Sequence, residues 1–187
     1  HDYSDLEGDM ASIRENPVMC QEICNILQYN LDHLDFVDEN VDLGFTCPLD
    51  LHCHYTKDQI LVALGHPERA KSMRQGVLYL KDRNLDFFIN TLNKADKDYS
   101  PTTMYADYSI NEHLFHWQSQ STTSDTSPTG QRYIHHREQG GRILLFVREY
   151  HDDLCGNAPY IFLGTAAYVR HTGSRPMSIV WHLDTPI

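Results

Sequence analysis

The sequence predicts an α+β domain: N-terminal helices followed by a strongly curved sheet or small β-barrel. Three observations point there. Residues 17–34 repeat apolar side chains at intervals of three and four. Beyond about residue 75 the chain breaks into short β-branched and aromatic runs separated by Gly, Asn, Asp and Pro. Those runs do not alternate regularly with long helices, which excludes a doubly wound α/β fold. With 187 residues, 41% hydrophobic and 22% charged, the chain is long enough for one domain with a true core.

In chain order, residues 5–14 and 17–34 read as helices. In the second, Met19, Ile23, Ile26, Leu27, Leu31 and Leu34 share one face, and Pro17 suits a first helical position. Cys20 and Cys24 lie four apart on that helix, a spacing that suits burial as small apolar residues. The acidic run 32–42 reads as a solvated connector. Thr56 and Gln59 have capping-box spacing, with Ile60, Leu61 and Leu64 behind them, so a short helix is expected before Gly65 and Pro67. Strands are expected at 77–80, 85–92, 143–147, 160–163, 168–170 and 179–183, and one at 114–118. Residues 118–130 hold many Ser and Thr and read as a long exposed loop.

Charge is unevenly placed. Residues 1–58 hold 13 acidic and 2 basic residues, which accounts for the whole net charge of −11; residues 59–187 hold 13 of each. The global value therefore does not decide nucleic-acid binding. No apolar run approaches the roughly 20 residues of a membrane span. His1–Met10 is acidic and polar, unlike a secretory leader. The chain opens without Met and ends at Thr185-Pro186-Ile187, and so reads as a piece of a longer, cytoplasmic protein. Its five cysteines, Cys20, Cys24, Cys47, Cys53 and Cys155, then read as free thiols.

Enzyme signatures are sparse. The sequence has no GxxxxGK[ST], GxSxG or HExxH. The group Cys47, His52, Cys53 and His54 matches no zinc spacing. His113, His116, His135 and His136 could serve a metal-dependent nuclease, but no carboxylate cluster of suitable spacing accompanies them. No cofactor is implied.

A different constellation fits a task. Tyr99, Tyr105, Tyr108, His116, Trp117, Tyr133, His135 and His136 crowd rings into one polar stretch. Gln118, Ser119 and Gln131 add neutral donors and acceptors, and Arg132 and Arg137 add cations. A site that reads a base needs a ring to stack on and amides for its hydrogen-bonding edge. Arg or backbone N–H groups serve the phosphates. Strand alternation sends Trp117 to the face opposite His116 and Gln118, so one of those faces is core. Gly173-Ser174-Arg175-Pro176-Met177 places a second cation, Arg175, in a turn before the last strand.

The same residues carry a resemblance. Leu114-Phe115-His116-Trp117-Gln118-Ser119-Gln120, Ser127-Pro128-Thr129-Gly130-Gln131-Arg132-Tyr133-Ile134 and Ile143-Leu144-Leu145-Phe146-Val147-Arg148-Glu149 resemble an uncharacterised bacterial domain family. That family is found at the C-terminus of proteins fusing a phospholipase-D-like nuclease to a DEAD/DEAH helicase. Cys47-Pro48-Leu49-Asp50-Leu51-His52-Cys53 and Gly173-Ser174-Arg175-Pro176-Met177-Ser178 fit the same pattern. The resemblance implies an acidic helical junction with the upstream helicase over 1–45 and a DNA-reading domain over 46–187. In architecture it is similar to modified-DNA readers, the SRA/PUA-like and phosphorothioate-binding domains. What it implies is a non-catalytic module of a restriction or defence system that reads modified, double-stranded DNA and works with the nuclease and helicase of its own chain. The residues expected to touch DNA are Tyr99, Pro101, Tyr105, Tyr108, His116, Trp117, Gln118, Ser119, Thr129, Gly130, Gln131, Arg132, Tyr133, His136, Arg137, Arg175 and Pro176. The alternative is a regulatory domain that docks on the helicase through residues 1–58.

Overall fold

The computed structural model describes residues 6–32, 41–68, 73, 76–93, 107–153 and 156–187. Helices α1 (Leu6–Arg14) and α2 (Pro17–Asp32) meet at Asn16, whose Oδ1 accepts from Met19 N at 3.1 Å and caps α2. No residue of α2 is buried. Cys24 is exposed and Cys20 half-buried, so the expected burial of this pair does not occur. Among the described residues, no helix is long and apolar enough to cross a membrane.

The remaining elements are β1 (His54–Tyr55), α3 (Lys57–Ala63), β2 (Val77–Leu80), β3 (Leu85–Thr91), β4 (Tyr108–Ser109) and β5 (Leu114–Gln118). They continue with α4 (Pro128–His135), β6 (Arg142–Arg148), β7 (Asp152–Asp153), β8 (Gly156–Asn157), β9 (Tyr160–Thr172) and β10 (Ser178–Leu183). One mixed sheet runs β2-β3-β6-β9-β10-β5-β4, with β1 on the start of β9. Among the described residues, only β3 and β6 pair in parallel. Both are buried on both faces, the pattern of strands covered from two sides, and β3 buries Asp86, Asn90 and Thr91 among its apolar residues.

β9 is read from sequence as two runs but forms one strand of 13 residues. It pairs with β6 at its start and with β10 at its end. The register shifts at Leu145/Phe146 and at Val180/Trp181, and such bulges bend a strand. Gly164, in the first bend, has φ +84°, and a Cβ there would lie 2.7 Å from Leu51 Cδ2. The sheet curls strongly, but its end strands β2 and β4 do not pair with each other. The architecture is an open α+β curl rather than a closed barrel.

Two cores lie on opposite faces. The first packs Leu43, Leu49 and the α3 residues Ile60, Leu61 and Leu64 against Leu80, Phe87, Leu144, Phe146 and Phe162. The capping box of α3 forms as its sequence requires: Gln59 N donates to Thr56 Oγ1 and Thr56 N to Gln59 Oε1. The second core fills the inside of the curl with Phe88, Trp117, Tyr133, Leu145, Ile179 and Trp181. Phe88 stacks on Trp117 at 4.2 Å and 6°, and Tyr133 meets both rings edge-on.

α4 supplies Tyr133 to that core. Sequence reading missed this helix, placing its start in an exposed loop. The signal was present: Ser127 accepts from Gly130 N at 3.1 Å as the N-cap and Pro128 follows it. The preceding segment is a loop, but only part of it is exposed. Ser119, Thr123 and Ser124 are buried.

Candidate nucleic-acid interface

β5 alternates as its sequence demands. Phe115 and Trp117 enter the inner core, while Leu114, His116 and Gln118 face the other way. Directly opposite residues in antiparallel strands point to the same side. Tyr108 of β4 is opposite His116, His116 opposite Val180, and Val180 opposite Arg170. Arg170, Val180, His116 and Tyr108 thus form one row across four strands. Gln118, Ser178 and Thr172 form the next row.

No helix among the described residues covers this part of the sheet. Tyr108 is half exposed and stacks on His116, with centroids 4.7 Å apart and planes 16° from parallel. Asp107 Oδ1 accepts from Gln118 N, spending that carboxylate on the backbone. His182 stacks on His113 further along the same strands.

The β9–β10 turn stands at one end of these rows. Arg175 is exposed and adopts a left-handed φ of +64°, unusual for a side chain of this size. The turn is braced from the 119–127 segment. Arg175 N donates to Thr123 O at 3.2 Å, Ser174 Oγ to Asp125 Oδ1 at 3.0 Å, and Met177 N to Ser119 Oγ at 2.9 Å. Gln131, exposed on α4, donates to Asp125 O. Ser119 therefore builds the turn rather than touching a ligand, and Gly130 is fixed by packing: a Cβ there would lie 1.9 Å from Ser124 O.

Several expected contacts are internal. Trp117, Tyr133 and His136 are 2%, 0% and 3% exposed, which removes them from any solvent-facing pocket. Trp117 Nε1 donates to Asn90 Oδ1 inside the core. Arg132 grips Asp86 with two hydrogen bonds of 2.7 and 2.9 Å and lies over the Tyr79 ring, pinning α4 to β3. Burial raises the Asp86 carboxyl above its ordinary range, against the lowering pull of that guanidinium. Arg137 pairs with Asp184. The cations expected to meet phosphate at 132 and 137 are thus already engaged within the fold.

His136 lies between two carbonyls, Nδ1 against Tyr133 O at 2.9 Å and Nε2 against Ala166 O at 3.1 Å. Burial lowers its proton affinity below the ordinary value, overcoming the two carbonyls that favour a proton on the nitrogen facing each. The structure does not bring the four histidines of the nuclease alternative together. His113 stacks on His182, His116 on Tyr108, His135 pairs with Glu138, and His136 is buried. Among the described residues, no group of three or more His, Cys, Asp or Glu is arranged to hold a metal.

Of the remaining expected residues, Tyr108 and Gln131 are exposed, and His116, Gln118, Thr129 and Pro176 are partly so. Tyr99, Pro101, Tyr105 and Cys155 lie outside the described residues. Arg170 was not singled out from sequence. Its signal would have been the pairing partner of Val180 across the final turn.

No curated protein matches the chain. A family described as a domain of unknown function, DUF3427, matches residues 49–187, from the segment before β1 to the C-terminal residue, and the chain belongs to that family.

Proposed function

We propose that this chain is a non-catalytic DNA-binding module of a restriction or defence nuclease–helicase, reading DNA that carries a modified base or a phosphorothioate. The observation that carries the reading is the pair Arg170 and Arg175. Both are exposed cations on one hairpin, beside the Tyr108–His116 stack and the amides of Gln118 and Gln131. Arg132 and Arg148 are meanwhile engaged inside the fold, and Arg137 is paired with Asp184 at the surface. Cations on a braced turn suit phosphate, and rings with amides suit bases. Pro176 beside Arg175 supplies an apolar wall of the kind that suits a sulfur-substituted phosphate.

The test is calorimetry of the chain against methylated, hydroxymethylated, phosphorothioated and plain DNA, each as duplex and as separated strands. Preference for one modified form, weakened by Arg175→Ala, is the expected result. Equal or absent binding of all forms, with no effect of Arg175→Ala, would falsify the reading.

A second reading has its own observation. α2 leaves Ile26, Leu27 and Leu31, which share one face, each about 60% exposed, with Met19 of the same face 47% exposed. Contiguous apolar surface of this kind marks an interaction site. It supports docking of the acidic N-terminal segment on the parent helicase. Removal of residues 1–45 that changes helicase ATPase rate while leaving DNA affinity intact would support docking.

A further inference from the structure

We propose that the sheet face bearing Arg170, Val180, His116 and Tyr108 takes unpaired nucleotides of a single strand in preference to a closed duplex. This rests on the DNA-binding reading above and names the form of DNA that the site accepts.

The row crosses four adjacent strands, from a cation at one end to a ring at the other. Three strand spacings make it about 15 Å long. Nucleic-acid-binding sheets stack splayed bases on such platforms, and this row offers the outer ring, Tyr108, for one stack. Tyr108 is the outermost ring. His116 occupies one of its faces, and the residue is still 50% exposed. A base that stacks there must first leave its own helix, because paired bases show only their edges in the grooves. A major groove admits a helix or a two-stranded ribbon, whereas this surface is four strands wide.

Two exposed cations are available to a polyanion on this face. Arg170 is exposed in the row and Arg175 stands beyond the neighbouring end of the hairpin. Asp107, next to Tyr108 in the chain, accepts from Gln118 N, and Asp125 accepts from Thr126 N and Ser174 Oγ, so local hydrogen bonds hold both carboxylates in place. Val180, 9% exposed between the rings and Arg170, gives the row an apolar floor.

The experiment is fluorescence anisotropy of the 187-residue chain with a labelled twelve-nucleotide oligo-dT and with a blunt twelve-base-pair duplex, at two salt concentrations. The strand is expected to bind at least tenfold more tightly. Tyr108→Ala is expected to weaken strand binding by roughly 5- to 150-fold, the range of one lost base stack, and Tyr108→Phe to retain it. Arg170→Ala should flatten the dependence of log affinity on log salt by about 0.7, one phosphate contact on a single strand. Lys81→Ala, which removes a cation at the opposite edge of the sheet, should change neither. A duplex bound as tightly as the strand, or a strand affinity indifferent to Tyr108→Ala, overturns the inference and leaves DNA binding standing. Absence of binding to both probes overturns the two together.

Discussion

β3 and β6 are packed on both faces, whereas β5 and β10 are packed on one. The first half of the sheet lies between α3 and α4, so nearly every side chain it projects is core. The second half shares only the inner core, and alternation leaves most of its other side chains partly or fully exposed, Val180 excepted. Rings and histidines look alike in sequence in both halves. Trp117 and His116 are neighbours, yet one stacks under Phe88 and the other under a half-exposed tyrosine. What separates a structural ring from an available one is how many layers cover its strand.

That contrast can be broken or sharpened by substitution. Phe88→Ala, at the centre of the aromatic cluster, is expected to cost about 3–5 kcal/mol in urea unfolding. Arg132→Ala should cost about 3 kcal/mol, because it leaves the carboxylate of Asp86, 2% exposed, buried without its partner. A loss under 1 kcal/mol would mean that α4 is not pinned to β3 by this pair. Gly130→Ala forces a Cβ into Ser124 O and is expected to cost about 1–3 kcal/mol, with the thermal midpoint as the measure.

The buried histidine gives a smaller, pH-dependent effect. The folded state holds the affinity of His136 for a proton below its unfolded value of about 6.5, so the unfolded chain binds more protons under mildly acid conditions. Its contribution is therefore present above about pH 6.5 and lost as pH falls through the folded value. Urea midpoints at pH 7.5 and 5.5 should differ more for the unaltered chain than for His136→Gln. Smallest of all, Tyr108→Ala and Arg170→Ala on the half-covered side should each change stability by no more than about 0.5 kcal/mol. A larger loss would place those side chains in the architecture rather than at its service.

Much of the fold was legible because local patterns and tertiary packing agree. The capping box at Thr56, the strand runs and the alternation of β5 all follow their sequence signals. α4 was not legible because a helix of eight residues, with Tyr133 as its one fully packed ring, is too short for a sustained apolar repeat. Its start was hidden by Ser and Thr residues that bond locally. The candidate site was legible only in part for a related reason. Residue type marked Arg132 and Arg175 equally, but Asp86, distant in sequence, neutralises the first and nothing described pairs with the second. Cys20 and Cys24 mark the opposite case: their spacing gave the helix face correctly, and no element of the domain comes to cover it.

The parallel ladder between β3 and β6 has a kinetic side. Arg148 bonds Thr91 across a sequence separation of 57, so the central strands meet only after a long excursion containing β4, β5 and α4 has been gathered. Closing such a loop is an entropic toll levied before its contacts stabilise anything. Refolding is then governed by topology and falls in the range of about milliseconds to seconds. During that interval two strands buried on both faces wait unzipped, and the nascent chain is most exposed to aggregation at segments that end up deep inside it.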